Sequence, residues 1–116
     1  MNIVLLTGDL MVISRVSGAA AQLSIQLQTA ANSQQAIRLC RDDAARVLVL
    51  DLATPSLDVA ELVAAVKKGG AAAPTIVAFG PHVHEERLAA AREAGCNRVV
   101  SRGQFMGQLD TLIQPA

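Results

Sequence analysis

The run Val47-Leu48-Val49-Leu50, closed by Asp51, constrains this chain more than any other stretch. Four consecutive apolar positions leave no face for water, so a strand here has to be covered on both sides. That is the position of a central strand in a parallel sheet. In open sheets of this kind, ligands and chemistry gather at the carboxyl ends of the strands, and Asp51 stands at such an end. Pro55 then interrupts the chain and Asp58 opens a helical pattern. Two readings of Asp51 are open at this point: a carboxylate that caps a turn, and a functional one.

The other segments repeat the same alternation. Asn2 to Leu6 reads as a buried strand. Thr7-Gly8-Asp9 leads out of it, with Asp9 as N-cap of a helix that turns Val12, Val16, Ala19, Ala20 and Leu23 inward. Ser24 to Gln28 alternates polar and apolar, with Ile25 and Leu27 on one face, as a half-exposed edge strand does. Asn32 or Ser33 caps a second helix carrying Ala36, Ile37, Cys40 and Ala44. Asp58 caps a third, with Val59, Leu62, Val63 and Val66 inward, and Gly69-Gly70 ends it ahead of the alanine-rich turn to Ala73. Pro74 to Phe79 is a fourth strand, broken by Gly80-Pro81. Glu85 and Glu86 suit the first turn of a fourth helix, where acidic side chains face the positive end of the dipole; Leu88, Ala91 and Ala94 run along it to Gly95. Asn97 to Ser101 makes a fifth strand, and Gln104 to Ile113 a fifth helix with Phe105, Leu109, Leu112 and Ile113 inward.

Five strand–helix units with short connections predict an α/β fold of the flavodoxin-like type, a three-layer sandwich. Its parallel five-stranded sheet has the order 2-1-3-4-5, flanked by five helices. Helices one and five fall on one face and two to four on the other. The 116 residues suit a single domain over 1–116. Thr7-Gly8-Asp9 and Asp51 then share the crevice where the strand order reverses.

Composition removes several function classes. Ten basic residues balance ten acidic ones with no basic cluster, so the chain has no electrostatic footprint for nucleic acid. Two Phe, with no Tyr or Trp, provide no platform for stacking bases. No run reaches the roughly 20 apolar residues of a membrane span, and Ile3 to Leu6 is too short for a signal peptide. Cys40 and Cys96 lack metal-type spacing and read as reduced and structural, so a cytoplasmic location is expected. The glycines spell no phosphate-binding loop and no Ser sits in a nucleophile elbow, so no enzyme activity is expected. His82 and His84, either side of Val83, read as metal ligands alongside Asp9 or Asp51, or as plain solvated loop residues.

The stretch VLVLDLATPSLD resembles the phosphoacceptor strand and loop of response regulator receiver domains, the CheY-like modules of two-component systems. Glu93-Ala94-Gly95-Cys96-Asn97 is similar to that family's turn into strand five, and Pro74-Thr75-Ile76-Val77 to its strand-four start. The resemblance covers essentially the whole chain. It implies a phosphorelay role with Asp51 in the phosphoacceptor position. It also implies a Mg²⁺ site built from Asp9, Asp51 and the backbone carbonyl of Ala53. Thr7 and Gly8 stand where the family carries its acidic pair, with Asp9 in the following slot, so Mg²⁺ is expected to bind weakly.

Other switch positions also depart from the family. Phe79 replaces the strand-four hydroxyl residue, Arg102 the strand-five Lys, Gly103 the proline after it, and Val99 the strand-five aromatic. The resemblance therefore implies a pseudo-receiver that acts through protein contacts with phosphorylation impaired or absent. The alternative is a phosphorylation-competent receiver using Asp51. Arg102 is expected to pair with Asp51 or Asp9. The implied partners are a histidine kinase, an output domain or another signalling protein. The implied interaction surface is helix four, strand five and helix five, including Arg87, Arg92, Arg98, Met106 and Gln108, and a homodimer would form through the same elements.

Overall fold

A computed structural model describes residues 1–68 and 72–115. The five strands are β1 (Asn2–Leu6), β2 (Gln26–Ala30), β3 (Val47–Asp51), β4 (Thr75–Gly80) and β5 (Arg98–Ser101). All pair in parallel, in the order β2-β1-β3-β4-β5. Among the described residues six helices fill the connections: α1 (Leu10–Gln22), α2 (Ser33–Asp42), α3 (Val59–Lys68), α4 (Glu85–Ala94), α5 (Arg102–Gly107) and α6 (Leu109–Leu112). Among the described residues, no helix is long and apolar enough to cross a membrane.

The sheet divides the interior into two cores because successive strand residues point to opposite faces. Val4, Leu6, Leu48, Leu50, Ile76 and Ala78 face α2, α3 and α4, where Ala36, Cys40, Leu62, Val63, Val66, Leu88 and Ala91 meet them. Ile3, Leu5, Val47, Val49, Val77 and Phe79 face α1, α5 and α6, against Val12, Val16, Phe105, Leu109, Leu112 and Ile113. Every residue of β3 is buried, as its unbroken apolar run requires.

The helix ends follow their capping residues. Asp9 Oδ1 accepts from the Met11 and Val12 N–H groups, Asn32 from Gln35 N–H, and Asp58 from Glu61 N–H. Gly95 ends α4 at φ 101°, where a Cβ would come 2.7 Å from Lys67 Nζ.

Four expectations shift. The edge strand runs Gln26–Ala30 and not 24–28, because Ser24 takes φ 57° and the turn out of α1 extends to it. Leu23 caps α1 at 36% exposure and does not join the core. Ala44 lies outside α2, at φ 50°, in the turn that lets Ala45 N–H reach Cys40 O. The fifth helix starts at Arg102 and breaks at Gln108, so among the described residues the sheet has six helices around it, not five. The Gly69-Gly70 stop and the start of the alanine-rich turn lie outside the described residues.

Candidate functional site

The crevice at the carboxyl end of the sheet is assembled by strand register. Leu6 pairs with Leu50 and Asp51 with Phe79, so the ends of β1, β3 and β4 lie at one level. Thr7, the first residue past β1, therefore arrives beside Asp51. Among the described residues these two are the buried polar side chains of the chain, 3% and 5% exposed. A buried carboxylate needs hydrogen bonds in place of its lost hydration, and it has two. Thr7 Oγ1 donates to Asp51 Oδ2 at 2.6 Å, and Ala53 N–H donates to Oδ1 at 2.9 Å.

The Thr7 hydroxyl carries the network onward by accepting from Asp9 N–H at 3.1 Å. The Asp9 carboxylate in turn receives Arg102 Nη2 at 2.9 Å, from the first residue of α5, with both side chains about a third exposed. Asp51, Thr7, Asp9 and Arg102 thus form one chain of contacts across the ends of β3, β1 and β5. The expected pairing of Arg102 resolves onto Asp9; among the described residues, Asp51 has no ion pair. Asp9 lies at the rim of the crevice, and Asp51 lies beneath it against Thr7. Partial desolvation pushes the Asp9 carboxyl up. The Arg102 hydrogen bond, the Val12 and Met11 N–H groups and the Arg102 charge outweigh it, so the carboxyl sits below its ordinary 3.8.

The donor set fits a hard cation poorly. Mg²⁺ wants oxygen ligands in octahedral array. Here Asp9 is committed to Arg102, and Thr7 and Gly8 bring no second carboxylate to the end of β1. The backbone at Ala53 faces Asp51 through its N–H. Among the described residues no group of three or more His, Cys, Asp and Glu side chains converges on a metal position, and His82 and His84 are exposed loop residues.

Phe79 is fully buried and stacks on Phe105 of α5, with ring centroids 4.3 Å apart and planes 3° from parallel. It presents no hydroxyl to the crevice and ties the tip of β4 to the C-terminal helices. Val99 is half-buried on β5 opposite Ala78 and packs with the α2–α4 core. On the α4–β5–α5 side, Arg87, Arg92 and Gln108 are exposed, and Arg98 and Met106 are half-buried. Arg87 Nη1 donates to Leu52 O and Arg98 Nη1 to Thr111 O, at 3.4 and 3.3 Å. Cys40 and Cys96 are free thiols, and burial pushes each up to about 11.

Sequence reading placed Asp51, Asp9 and Arg102 at the crevice. It missed that Thr7 would serve as the hydrogen-bond donor to Asp51. The signal was present: a hydroxyl one residue beyond the apolar run Ile3 to Leu6, in a strand that pairs with the Asp51 strand.

No family profile and no curated protein matches the sequence. Solved structures do match. The receiver domain of a sensor histidine kinase from Pseudomonas aeruginosa, with a magnesium ion in its active-site cleft, superimposes at TM-score 0.80 and 17% identity; 97% of this chain and 93% of that one are covered. NtrX from Brucella abortus matches at TM-score 0.73 and 21% identity over 87% of this chain. The chain spans only 23% of the NtrX length. The receiver domain of a Saccharomyces cerevisiae response regulator, solved with its histidine phosphotransfer protein, matches at TM-score 0.74 and 17% identity, covering 88% of this chain and 78% of that one. These likenesses and the 2-1-3-4-5 parallel sheet lead to one conclusion: this chain has the flavodoxin-like fold of response regulator receiver domains.

Proposed function

We propose that residues 1–116 form one receiver-like signalling domain of the two-component type that acts through protein contacts, with phosphoryl transfer at Asp51 impaired. The observation that carries this reading is the Thr7 hydroxyl, 2.6 Å from Asp51 Oδ2, in a crevice whose cation is already held by Asp9. In-line phosphoryl transfer needs positive charge on the developing equatorial oxygens, usually from Mg²⁺. Arg102 supplies charge at the rim but is neutralised by Asp9, and Thr7 and Gly8 add no carboxylate that would recruit the metal. Phe79 supplies no hydroxyl that a phosphoryl group would draw inward. Asp51 then serves as a structural acceptor that holds the β1 and β3 ends together.

In this reading the chain is no enzyme, and its partners are other signalling proteins: a histidine kinase, a phosphotransfer protein or an output domain. The yeast complex supports this class of partner, because a receiver of the same fold is bound there by a phosphotransfer protein. The exposed face of α4, β5 and α5, with Arg87, Arg92 and Gln108, is the surface assigned to such contacts or to a second copy. The two reduced thiols, neither bridged, suit a cytoplasmic setting.

The test is amide NMR with Mg²⁺ and beryllofluoride. Shifts around Asp51, Phe79 and Arg102 should stay within the noise at millimolar Mg²⁺. Saturable shifts there, absent in Asp51→Asn, would establish a competent receiver in place of the proposed one.

A further inference from the structure

The end of the sheet remote from Asp51 carries a second site that the signalling reading does not use. Between α2 and α3 lies a cavity of about 480 Å³, within the size range of small-molecule pockets. Its walls are aliphatic: Ile37 and Cys40 from α2, Ala65 and Val66 from α3, and Ala45 and Pro74 beside the strand starts. The alanines hold the space open, because each leaves unfilled the volume a larger side chain would take.

Among the described residues, three cations, Arg41, Arg46 and Lys68, share this lining, and no carboxylate does. Arg41 is engaged with Asp42 at 3.2 Å. Arg46 and Lys68 are exposed and, among the described residues, have no side-chain partner. Backbone bonds hold the Arg46 side of the lip: Arg46 N–H donates to Asn2 O, and Arg46 O accepts from Thr75 N–H. Ala44, also in the lining, sits at φ 50°, a conformation that disfavours a side chain and recurs at ligand sites.

The geometry points to a binding site for a small amphiphilic anion, a carboxylate on an unbranched aliphatic tail. The tail would lie among Ile37, Ala65 and Val66, with the carboxylate between Arg46 and Lys68. Aliphatic walls without an aromatic ring favour a flexible chain over a flat ring. Arg46 and Lys68, without a side-chain partner among the described residues, favour one anionic head over a neutral one.

Titration of the full chain with hexanoate, octanoate and octanol, followed by methyl and amide NMR, tests this. Octanoate should shift Ile37, Ala44, Ala65 and Val66 saturably and leave Asp51 and Thr7 in place. Each added methylene should tighten binding roughly fourfold, so octanoate should exceed hexanoate by roughly 15-fold. Octanol should bind roughly tenfold more weakly than octanoate, the effect of about one favourable ion contact. Arg46→Glu with Lys68→Glu should weaken octanoate by roughly tenfold or more and leave octanol unchanged; Arg46→Gln with Lys68→Gln serves if the charge reversal unfolds the chain. Any of four results would overturn the proposal: no saturable shift with octanoate, equal affinity for octanol, affinity indifferent to both pairs of substitutions, or binding to anionic vesicles without a response to free octanoate.

Discussion

Replacing Thr7 by Val removes one oxygen and keeps the shape of the side chain. That oxygen donates to Asp51 Oδ2 at 2.6 Å and accepts from Asp9 N–H at 3.1 Å, in a position 3% exposed. A hydrogen bond to a charged group contributes about 1.5 to 3 kcal/mol, and a buried carboxylate left without its donor loses at least that. Ala53 N–H still holds the other oxygen, so the carboxylate is not fully orphaned. The expected cost of Thr7→Val is therefore about 2 kcal/mol. With a urea m-value of about 1.5 kcal/mol/M, the unfolding midpoint should fall by roughly 1 to 2 M at about neutral pH. Asp51→Asn should cost under about 1 kcal/mol, because an amide oxygen still accepts from Ala53 N–H and the Thr7 hydroxyl can turn to accept from the amide. The double-mutant cycle isolates the contact: in the Asp51→Asn background, Thr7→Val should cost roughly 1 kcal/mol less than in the unmodified chain. If Thr7→Val costs the same with or without the Asp51→Asn substitution, the hydroxyl does not stabilise the carboxylate and the central feature of the site is wrong.

Thr7→Asp with Gly8→Asp should tighten Mg²⁺ binding at least roughly tenfold, from weaker than about millimolar, by restoring carboxylates to the end of β1; a Cβ at Gly8 meets nothing within 4 Å, so the start of a side chain has room there. Isothermal titration that finds unchanged affinity would mean the site is limited by something other than carboxylate count. Phe79→Ala should destabilise the fold by about 3 to 5 kcal/mol, since the ring is fully buried against Phe105; a loss below about 1 kcal/mol in urea melts would contradict the stacked core. The Asp9 carboxyl lies below 3.8 in the fold, so its stabilising contribution is complete above that pH and is lost as pH falls through the folded-state value. Urea midpoints should accordingly drop as pH falls below about 4 in the unmodified chain, and Asp9→Asn should flatten part of that drop; an unchanged slope would separate Asp9 from Arg102.

The sheet order was legible because each strand carried its own signature. Val47 to Leu50 has no polar position and lies in the middle, whereas the alternation around Ile25 and Leu27 marks an edge. The register of that edge strand was not legible. Ile25 and Leu27 keep their alternation under a shift of two residues, and the positive φ of Ser24 arises from how α1 ends, not from the identity of Ser24. The break at Gln108 was hidden for the same reason: Phe105, Leu109, Leu112 and Ile113 are buried in either a continuous or a broken helix. At the site, residue types fixed which groups meet, and only the backbone fixed which pairs form. Arg102 took Asp9, at the rim, where its guanidinium keeps part of its hydration. Asp51, deeper, is served by neutral donors.

The stack of Phe79 on Phe105 also sets how the chain end behaves as a unit of motion. Segments of six and four residues, the lengths of α5 and α6, have no helical stability of their own in water. Their amides are protected only while Phe105 and the three aliphatic residues behind it stay docked. The whole C-terminal segment should then exchange hydrogen as one cooperative block, with an opening free energy set by that docking and not by individual helical bonds. Trimming the Phe105 ring should release every amide from Gln104 to Ile113 together and leave those of β3 close to the limit set by global unfolding.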